Sequence, residues 1–215
     1  MMTFGGRALS RHEVLADGIV HFVGIIGAVA GIGVLLGIAL LHGKAIEFTA
    51  LSIYGGGLLA MLGCSAAYNL VPTERWRELL RRFDHAAIFA MIAGTYTPFT
   101  VLHLEGWWGG GLTALIWSAA VIGITLRLLW PDRCEPCFVA LYLGLGWIGV
   151  VAIGPLLSSL GFWTVALIVI GGLLYSVGVI FHVWERLPFQ RAVWHGFVVA
   201  AAGTHYAAVL LGVIA

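Results

Sequence analysis

Residues 17–41 read DGIVHFVGIIGAVAGIGVLLGIALL, and this stretch decides the fold class. From Phe22 to Leu41 it carries no charged side chain, and it is long enough for a bilayer crossing, which needs about 20 mostly apolar residues. It is too long for the apolar core of a signal peptide, about 7–15 residues. We therefore interpret it as a membrane-spanning helix that follows a polar tail of residues 1–13.

The rest of the chain repeats this character. It is 61% hydrophobic and 10% charged, whereas ordinary soluble domains are about 25% charged. We expect one all-α membrane domain over residues 1–215, with the lipid bilayer as its main partner, and a net charge of +1 gives no reason to expect nucleic acid. The seven predicted spans are residues 17–41, 47–70, 84–103, 109–130, 137–154, 160–181 and 192–214.

The basic residues indicate the orientation. With seven spans, Lys44 is alone on one side of the membrane and the other Lys and Arg residues share the opposite side. Cytoplasmic loops carry an excess of Lys and Arg. The sequence therefore predicts a seven-transmembrane-helix bundle with its N-terminus in the cytoplasm and its C-terminus outside. The residues on the cytoplasmic side are Arg7, Arg11, Arg75, Arg77, Arg81, Arg82, Arg127, Arg133, Arg186 and Arg191.

Polar residues inside the predicted spans gather at the cytoplasmic ends of the helices. Ionisable groups in membrane spans are costly and indicate a functional site by default. Residues four apart share a helix face, so the pairs could line one cavity; the alternative is a set of interfacial caps. The residues are Asp17 and His21, Ser65 and Asn69, Arg191 and His195, and also Asp84.

Four stretches carry a resemblance to a known family. The chain resembles the hemolysin III family of bacterial membrane proteins, relatives of the progestin and adiponectin receptors. The matches fall in order from the first predicted helix to the last. They are EVLADGIVH (Glu13–His21), SAAYNLVP (Ser65–Pro72), DHAAIFAMIAGTYTP (Asp84–Pro98) and WERLPFQRAVWH (Trp184–His195).

The resemblance implies a zinc site at the cytoplasmic side and a place in the bacterial inner membrane. In the family, zinc is held by a His that ends the second span and by two His, four apart, that open the seventh. These positions are Asn69, Arg191 and His195 here. Ser65 and Asp84 match residues that line the family's cavity, and they are our candidate catalytic residues.

Two of the three implied zinc ligands are thus replaced. Asn is a poor zinc ligand, and Arg cannot deprotonate to become one. One hypothesis is that the Arg191 guanidinium takes the place of the cation, pairing with Asp84 and the Asn69 carbonyl. The alternative is a rebuilt metal site that recruits His21, His85 or Asp17 beside His195.

The resemblance implies three candidate functions. The first is a hemolysin III-type membrane protein that acts in membrane or lipid homeostasis with a degenerate zinc site. The second is a metal-dependent hydrolase of lipid amides: relatives in the superfamily include such enzymes, and zinc with three protein ligands leaves an open position for water. The third is a pore or transporter. The CxxC spacing of Cys134 and Cys137 lacks the second pair that a structural zinc site needs, and we interpret it as two reduced thiols, with a redox role as the alternative.

Overall fold

The computed structural model describes residues 3–4, 7–8, 10–71 and 75–214. Part of the predicted tail and Pro72 lie outside these ranges. The described chain is all-helical apart from two paired two-residue strands, which confirms the predicted all-α class. The elements are β1 (Thr3–Phe4), β2 (Arg7–Ala8), α1 (Arg11–His42), α2 (Ala45–Leu70), α3 (Arg77–Leu102), α4 (Gly106–Leu129), α5 (Glu135–Trp147), a 3₁₀ segment (Ile148–Ala152), α6 (Ile153–Val183) and α7 (Gln190–Ile214).

Helix α1 begins earlier than the predicted span because a capping box starts it. The Ser10 hydroxyl accepts a hydrogen bond from the Glu13 main-chain N–H at 3.2 Å, and the Glu13 carboxylate accepts from the Ser10 N–H at 2.8 Å. Glu13 also accepts from the Phe189 main-chain N–H at 3.1 Å, which ties α1 to the α6–α7 connection. As a consequence, Asp17 lies within the helix and is buried rather than at its exposed end.

Six helical segments of the described chain are long and apolar enough to cross a membrane. One of them, Glu135–Val183, has 49 residues and contains both the predicted fifth and sixth spans. The connection between these two spans is not a separate loop: a 3₁₀ segment leads from α5 into α6, and the helical path breaks at Gly161, whose φ of 74° suits glycine. Trp147 and Ser176 lie nearly the same number of residues before and after Gly161. Trp147 Nε1 donates to Ser176 Oγ at 3.0 Å, so the two arms lie side by side. The chain therefore folds back at this glycine.

Glycines let the helices approach closely within the bundle. A Cβ on Gly57 of α2 would lie 2.9 Å from the main-chain oxygen of Ala90 on α3, and one on Gly31 of α1 would lie 2.8 Å from the Tyr206 ring on α7. Small residues at such contacts are typical of membrane helices. The outer surface is apolar, with Phe22 and Leu41 exposed by 67% and 78%, so lipid is its natural solvent.

Candidate functional site

Six polar residues from three helices meet inside one end of the bundle. The i,i+4 pairs of α1, α2 and α7 face one another, as predicted. Asp17 and His21 are each only 2% exposed. Buried polar groups need partners, and these residues supply one another's. We call this group the polar cluster; its members are Asp17, His21, Ser65, Asn69, Arg191 and His195.

The Asp17 carboxylate connects α1 to α7. Its Oδ1 lies 2.6 Å from Nδ1 of His195, and its Oδ2 lies 3.2 Å from the Arg191 guanidinium. A carboxylate oxygen accepts, so His195 carries a hydrogen on Nδ1 and its Nε2 is left as an acceptor. Asp17 therefore sets the orientation and tautomer of His195, while Arg191 balances its charge.

The Ser65 hydroxyl is the meeting point of the two imidazoles. Ser65 Oγ lies 3.4 Å from His195 Nε2 and 3.2 Å from His21 Nε2. His21 Nδ1 donates to the Asp17 main-chain oxygen at 2.9 Å, which orients that ring as well. The two rings contact edge to face, with centroids 4.4 Å apart. The hydroxyl thus has a basic nitrogen on two sides.

Arg191 also binds α2. It donates to the main-chain oxygen of Asn69 at 2.9 Å and to the Asn69 side-chain oxygen, so the predicted contact with the Asn69 carbonyl is confirmed. The predicted ion pair with Asp84 is wrong, since Asp17 is the carboxylate at ion-pair distance among the described residues. The reason is that α1 packs against α7 more extensively than α3 does, so the Asp17 carboxylate reaches both Arg191 and His195. Asp84 instead lies beside Ser65.

A cavity of about 210 Å³ extends from the polar cluster into the bundle. His21, Ser65 and His195 line its polar end, together with Asp84. Beyond them, apolar and aromatic side chains of α2, α3, α5, α6 and α7 form most of the wall. On α3 the lining continues from Asp84 to Thr100, about 24 Å of helix at 1.5 Å per residue. The cavity is therefore long and narrow.

Comparison with known proteins places the chain in a family. A family model described as haemolysin-III related matches residues 9–206. The chain belongs to the haemolysin-III related family. It is similar to the hemolysin-3 homolog of Bacillus subtilis (strain 168), with 33% identity over 92% of this chain and 93% of that protein. It is also similar to hemolysin-3 of Bacillus cereus, with 35% identity over 94% and 92% of the two chains.

A human protein extends the comparison. The monocyte to macrophage differentiation factor of Homo sapiens is 29% identical over 73% of this chain and 67% of its own length. The matched haemolysin-III region, residues 9–206, contains every residue of the polar cluster. The cluster thus belongs to the part of the chain that defines its family.

The zinc position implied by the resemblance does not fit a metal in this haemolysin-III related chain. The Arg191 guanidinium stands where the family has a histidine ligand. It donates to the Asn69 side-chain oxygen and lies 3.2 Å from the Asp17 carboxylate. Arg191 is a permanent cation that offers no lone pair. The charge that a metal ion would supply is therefore already provided by the protein.

A different trio could hold a metal ion. The ligand atoms of Asp17, His21 and His195 lie within 4.8 Å of one another, and all three residues are buried. Of the replacement ligands that we considered, the structure thus brings His21 and Asp17 to His195. His85 instead packs edge to face on Tyr68, with ring centroids 6.5 Å apart. A metal at the trio would compete with Arg191 for the Asp17 carboxylate.

Two other histidines have different roles. His205 Nε2 on α7 donates to the main-chain oxygen of Ile168 on α6 at 3.0 Å and so joins these two helices. His182 lines the cavity and packs against Trp194 with ring centroids 5.0 Å apart. Sequence position alone does not show that the end of α6 turns this ring inward.

The prediction of two reduced thiols is wrong, because Cys134 and Cys137 form a disulfide. Helix α5 begins between them, at Glu135, and the first turn brings their Cα atoms to 5.3 Å, within the usual range for a disulfide. Beside them the fully buried Arg127 donates to Glu135 at 2.8 Å. This pair fixes the start of α5 against α4.

Sequence reasoning also missed the line of contacts from Asp17 through His195 to Ser65. The three residues come in the chain order Asp, Ser, His and are widely separated, so no local motif indicates that they meet. The only signal in the sequence was the i,i+4 spacing, which put each residue on a polar edge. Which atoms of these edges meet depends on how α1, α2 and α7 pack.

Proposed function

We propose that this protein holds a lipid acyl chain in its cavity and acts in membrane or lipid homeostasis. The observation that carries this proposal is the long, narrow, largely apolar cavity that ends at the buried polar cluster. Small-molecule sites are typically apolar with a few polar groups that set orientation. The apolar wall would take the chain, and the cluster would take the polar end of the lipid.

The dimensions favour a linear ligand. The cavity follows about 24 Å of α3. The hydrocarbon core of a bilayer is about 30 Å thick, so this length exceeds the half that belongs to one leaflet. The cavity has a volume of about 210 Å³ along that length, and its wall is largely apolar. A single extended acyl chain suits this shape better than a compact ring system.

The proposal includes seven crossings, with the polar cluster at the cytoplasmic side of the bacterial inner membrane. A straight helix of the 49 residues Glu135–Val183 would span about 74 Å, more than twice the hydrocarbon core. The break at Gly161 and the Trp147–Ser176 hydrogen bond support two crossings there. The distribution of Lys and Arg supports the orientation.

The topology is tested with a protease site at each terminus of the full chain, in spheroplasts treated with an impermeant protease. We expect cleavage of the C-terminal site only, and of the N-terminal site only after lysis. Cleavage of both sites, or of neither, in intact spheroplasts would refute an odd number of crossings.

Lipid binding is tested by photo-crosslinking a long-chain fatty acid that carries a diazirine to the purified full chain. We expect crosslinks on cavity-lining residues. Val169 lines the cavity and Ile170 faces outward, 47% exposed. Val169→Trp should reduce crosslinking at least about tenfold, which corresponds to 1.4 kcal/mol, and the matched control Ile170→Trp should leave it unchanged. Equal crosslinking in both variants would place the lipid outside the cavity.

A second candidate is a metal-dependent hydrolase acting on lipid amides, and the trio Asp17, His21 and His195 favours it. Zinc bound there would supply a nucleophilic water near the cavity. Elemental analysis of protein purified in mild detergent without chelator tests this candidate. Close to one zinc per chain would support it. A zinc content near zero would count against it and favour the lipid-binding function without a metal.

A further inference from the structure

We propose that Ser65 is the nucleophile of a metal-independent acyl transfer, with His195 as its general base and Asp17 as the residue that orients His195. The reaction would hydrolyse an acyl ester or amide whose chain occupies the cavity. This inference rests on the lipid-binding function proposed above. It adds the nucleophile, its base and a route to cleavage that needs no metal.

The geometry is that of a Ser-His-Asp arrangement built from three helices. Asp17 Oδ1 lies 2.6 Å from Nδ1 of His195, and Nε2 of the same ring lies 3.4 Å from Ser65 Oγ. Such an arrangement is recognised by geometry and roles, since unrelated folds present it in different chain orders. The distance from nucleophile to base is often somewhat longer before substrate binds.

The cavity lies on the correct side of this arrangement. Ser65 and His195 line it, so the hydroxyl and the accepting nitrogen face the place of the ligand. Asp17 contacts the opposite edge of the His195 ring from Ser65, and the Arg191 guanidinium lies 3.2 Å from the second oxygen of the Asp17 carboxylate. A purely structural bridge between helices would not require the hydroxyl to open onto an apolar cavity of this length.

Two further groups hold the Ser65 hydroxyl in place. Asn69 Nδ2 donates to Ser65 Oγ at 3.3 Å, and His21 Nε2 lies 3.2 Å from it on another side. These contacts orient the nucleophile before the acyl group arrives. Asn69 is itself held by its second hydrogen bond, to the Ser65 main-chain oxygen at 2.9 Å.

The reaction proceeds in two balanced steps. Ser65 Oγ bonds to the acyl carbonyl carbon, its proton passes to His195 Nε2, and that proton is given to the departing alcohol or amine as the carbon–oxygen or carbon–nitrogen bond breaks. Water then attacks the acyl-Ser65 ester and gives a proton to His195. The Ser65 oxygen leaves and recovers the proton, and a free fatty acid is released.

The test uses the purified full chain in mild detergent with a chelator, treated with a long-chain alkyl fluorophosphonate. The serine oxygen attacks phosphorus, and fluoride leaves. We expect peptide mapping by mass spectrometry to locate the adduct on Ser65. Ser65→Ala should abolish labelling. Ser159→Ala is the matched control, because Ser159 is an exposed helical serine outside the cluster, and it should label like the unchanged protein.

Asp17→Asn tests the orienting role. It should lower the maximal labelling rate by up to about 10⁴-fold, the loss seen when the orienting carboxylate of such a triad is converted to an amide. The probe concentration for half-maximal rate should change little, because Asp17 does not line the cavity. A change confined to that concentration would show that Asp17 only supports binding.

The outcomes separate this inference from the proposed function. Labelling of Ser65 that survives chelation supports both. Fatty-acid crosslinks in the cavity without any adduct on Ser65 would overturn the nucleophile and keep the lipid site. Absence of those crosslinks would remove the proposed function itself. Hydrolysis that is lost on chelation and restored by zinc would overturn the metal-independent reaction. The position of the adduct in the unchanged protein is decisive even if Ser65→Ala fails to fold.

Discussion

Removal of the Arg191 charge should destabilise the bundle because it leaves the Asp17 carboxylate buried with one partner fewer. Asp17 and Arg191 have side chains only 3% and 11% exposed and lie 3.2 Å apart. Breaking a buried ion pair by removal of one partner costs about 3–5 kcal/mol. Asp17 keeps its hydrogen bond to His195. We therefore expect Arg191→Gln to lower the free energy of unfolding by about 3 kcal/mol, the low end of that range.

The assay is equilibrium unfolding of the full chain in mixed detergent micelles, followed by circular dichroism. The double variant Asp17→Asn with Arg191→Gln removes both charges, so it should lose less stability than the sum of the two single variants. Arg81→Gln is the matched control, because Arg81 pairs with Asp132, whose side chain is 82% exposed. Such an exposed pair contributes about 0–1 kcal/mol. Equal losses in Arg191→Gln and Arg81→Gln, or strict additivity in the double variant, would refute the buried pair.

Three further changes test other parts of the structure. Asn69→His combined with Arg191→His restores the residue types of the family's zinc site, so elemental analysis should find about one zinc per chain, and failure to bind would count against the inherited site. Gly57→Val places a Cβ 2.9 Å from the α3 backbone, so it should lower the free energy of unfolding by about 1–3 kcal/mol in the same assay. Gly63→Ala is its control, because a Cβ there would meet nothing within 4 Å. Ser10→Ala removes the cap of α1 and should cost about 1 kcal/mol, and an unchanged stability would show that the cap is dispensable.

The helices of this protein were predictable because the membrane imposes a simple rule. Every backbone polar group in lipid must be satisfied within the segment, so long apolar runs become helices. The ends of the helices were less predictable. The capping box at Ser10 extends α1 towards the N-terminus, and Gly161 permits a sharp reversal where we expected a loop. Both depend on single residues rather than on hydropathy averaged over a span.

The sequence predicted which polar residues form the candidate site, but it did not predict which of them contact each other. The i,i+4 spacing put Ser65 and Asn69 on one edge of α2, and the same rule applies to α1 and α7. The carboxylate that meets Arg191 could not be chosen this way. Asp17 and Asp84 were both at plausible depths, and the packing of α1 against α7 decides between them.

Composition, spacing and motifs were enough to predict the membrane class, the helical segments, the haemolysin-III family and the set of polar residues. These are local properties of the chain. The packed bundle was needed to show that Asp17 binds both Arg191 and His195, that Ser65 faces two imidazoles, and that the polar cluster ends a long apolar cavity. Those contacts join residues distant in the chain, so they depend on the relative depth and rotation of packed helices, which helical periodicity alone does not specify.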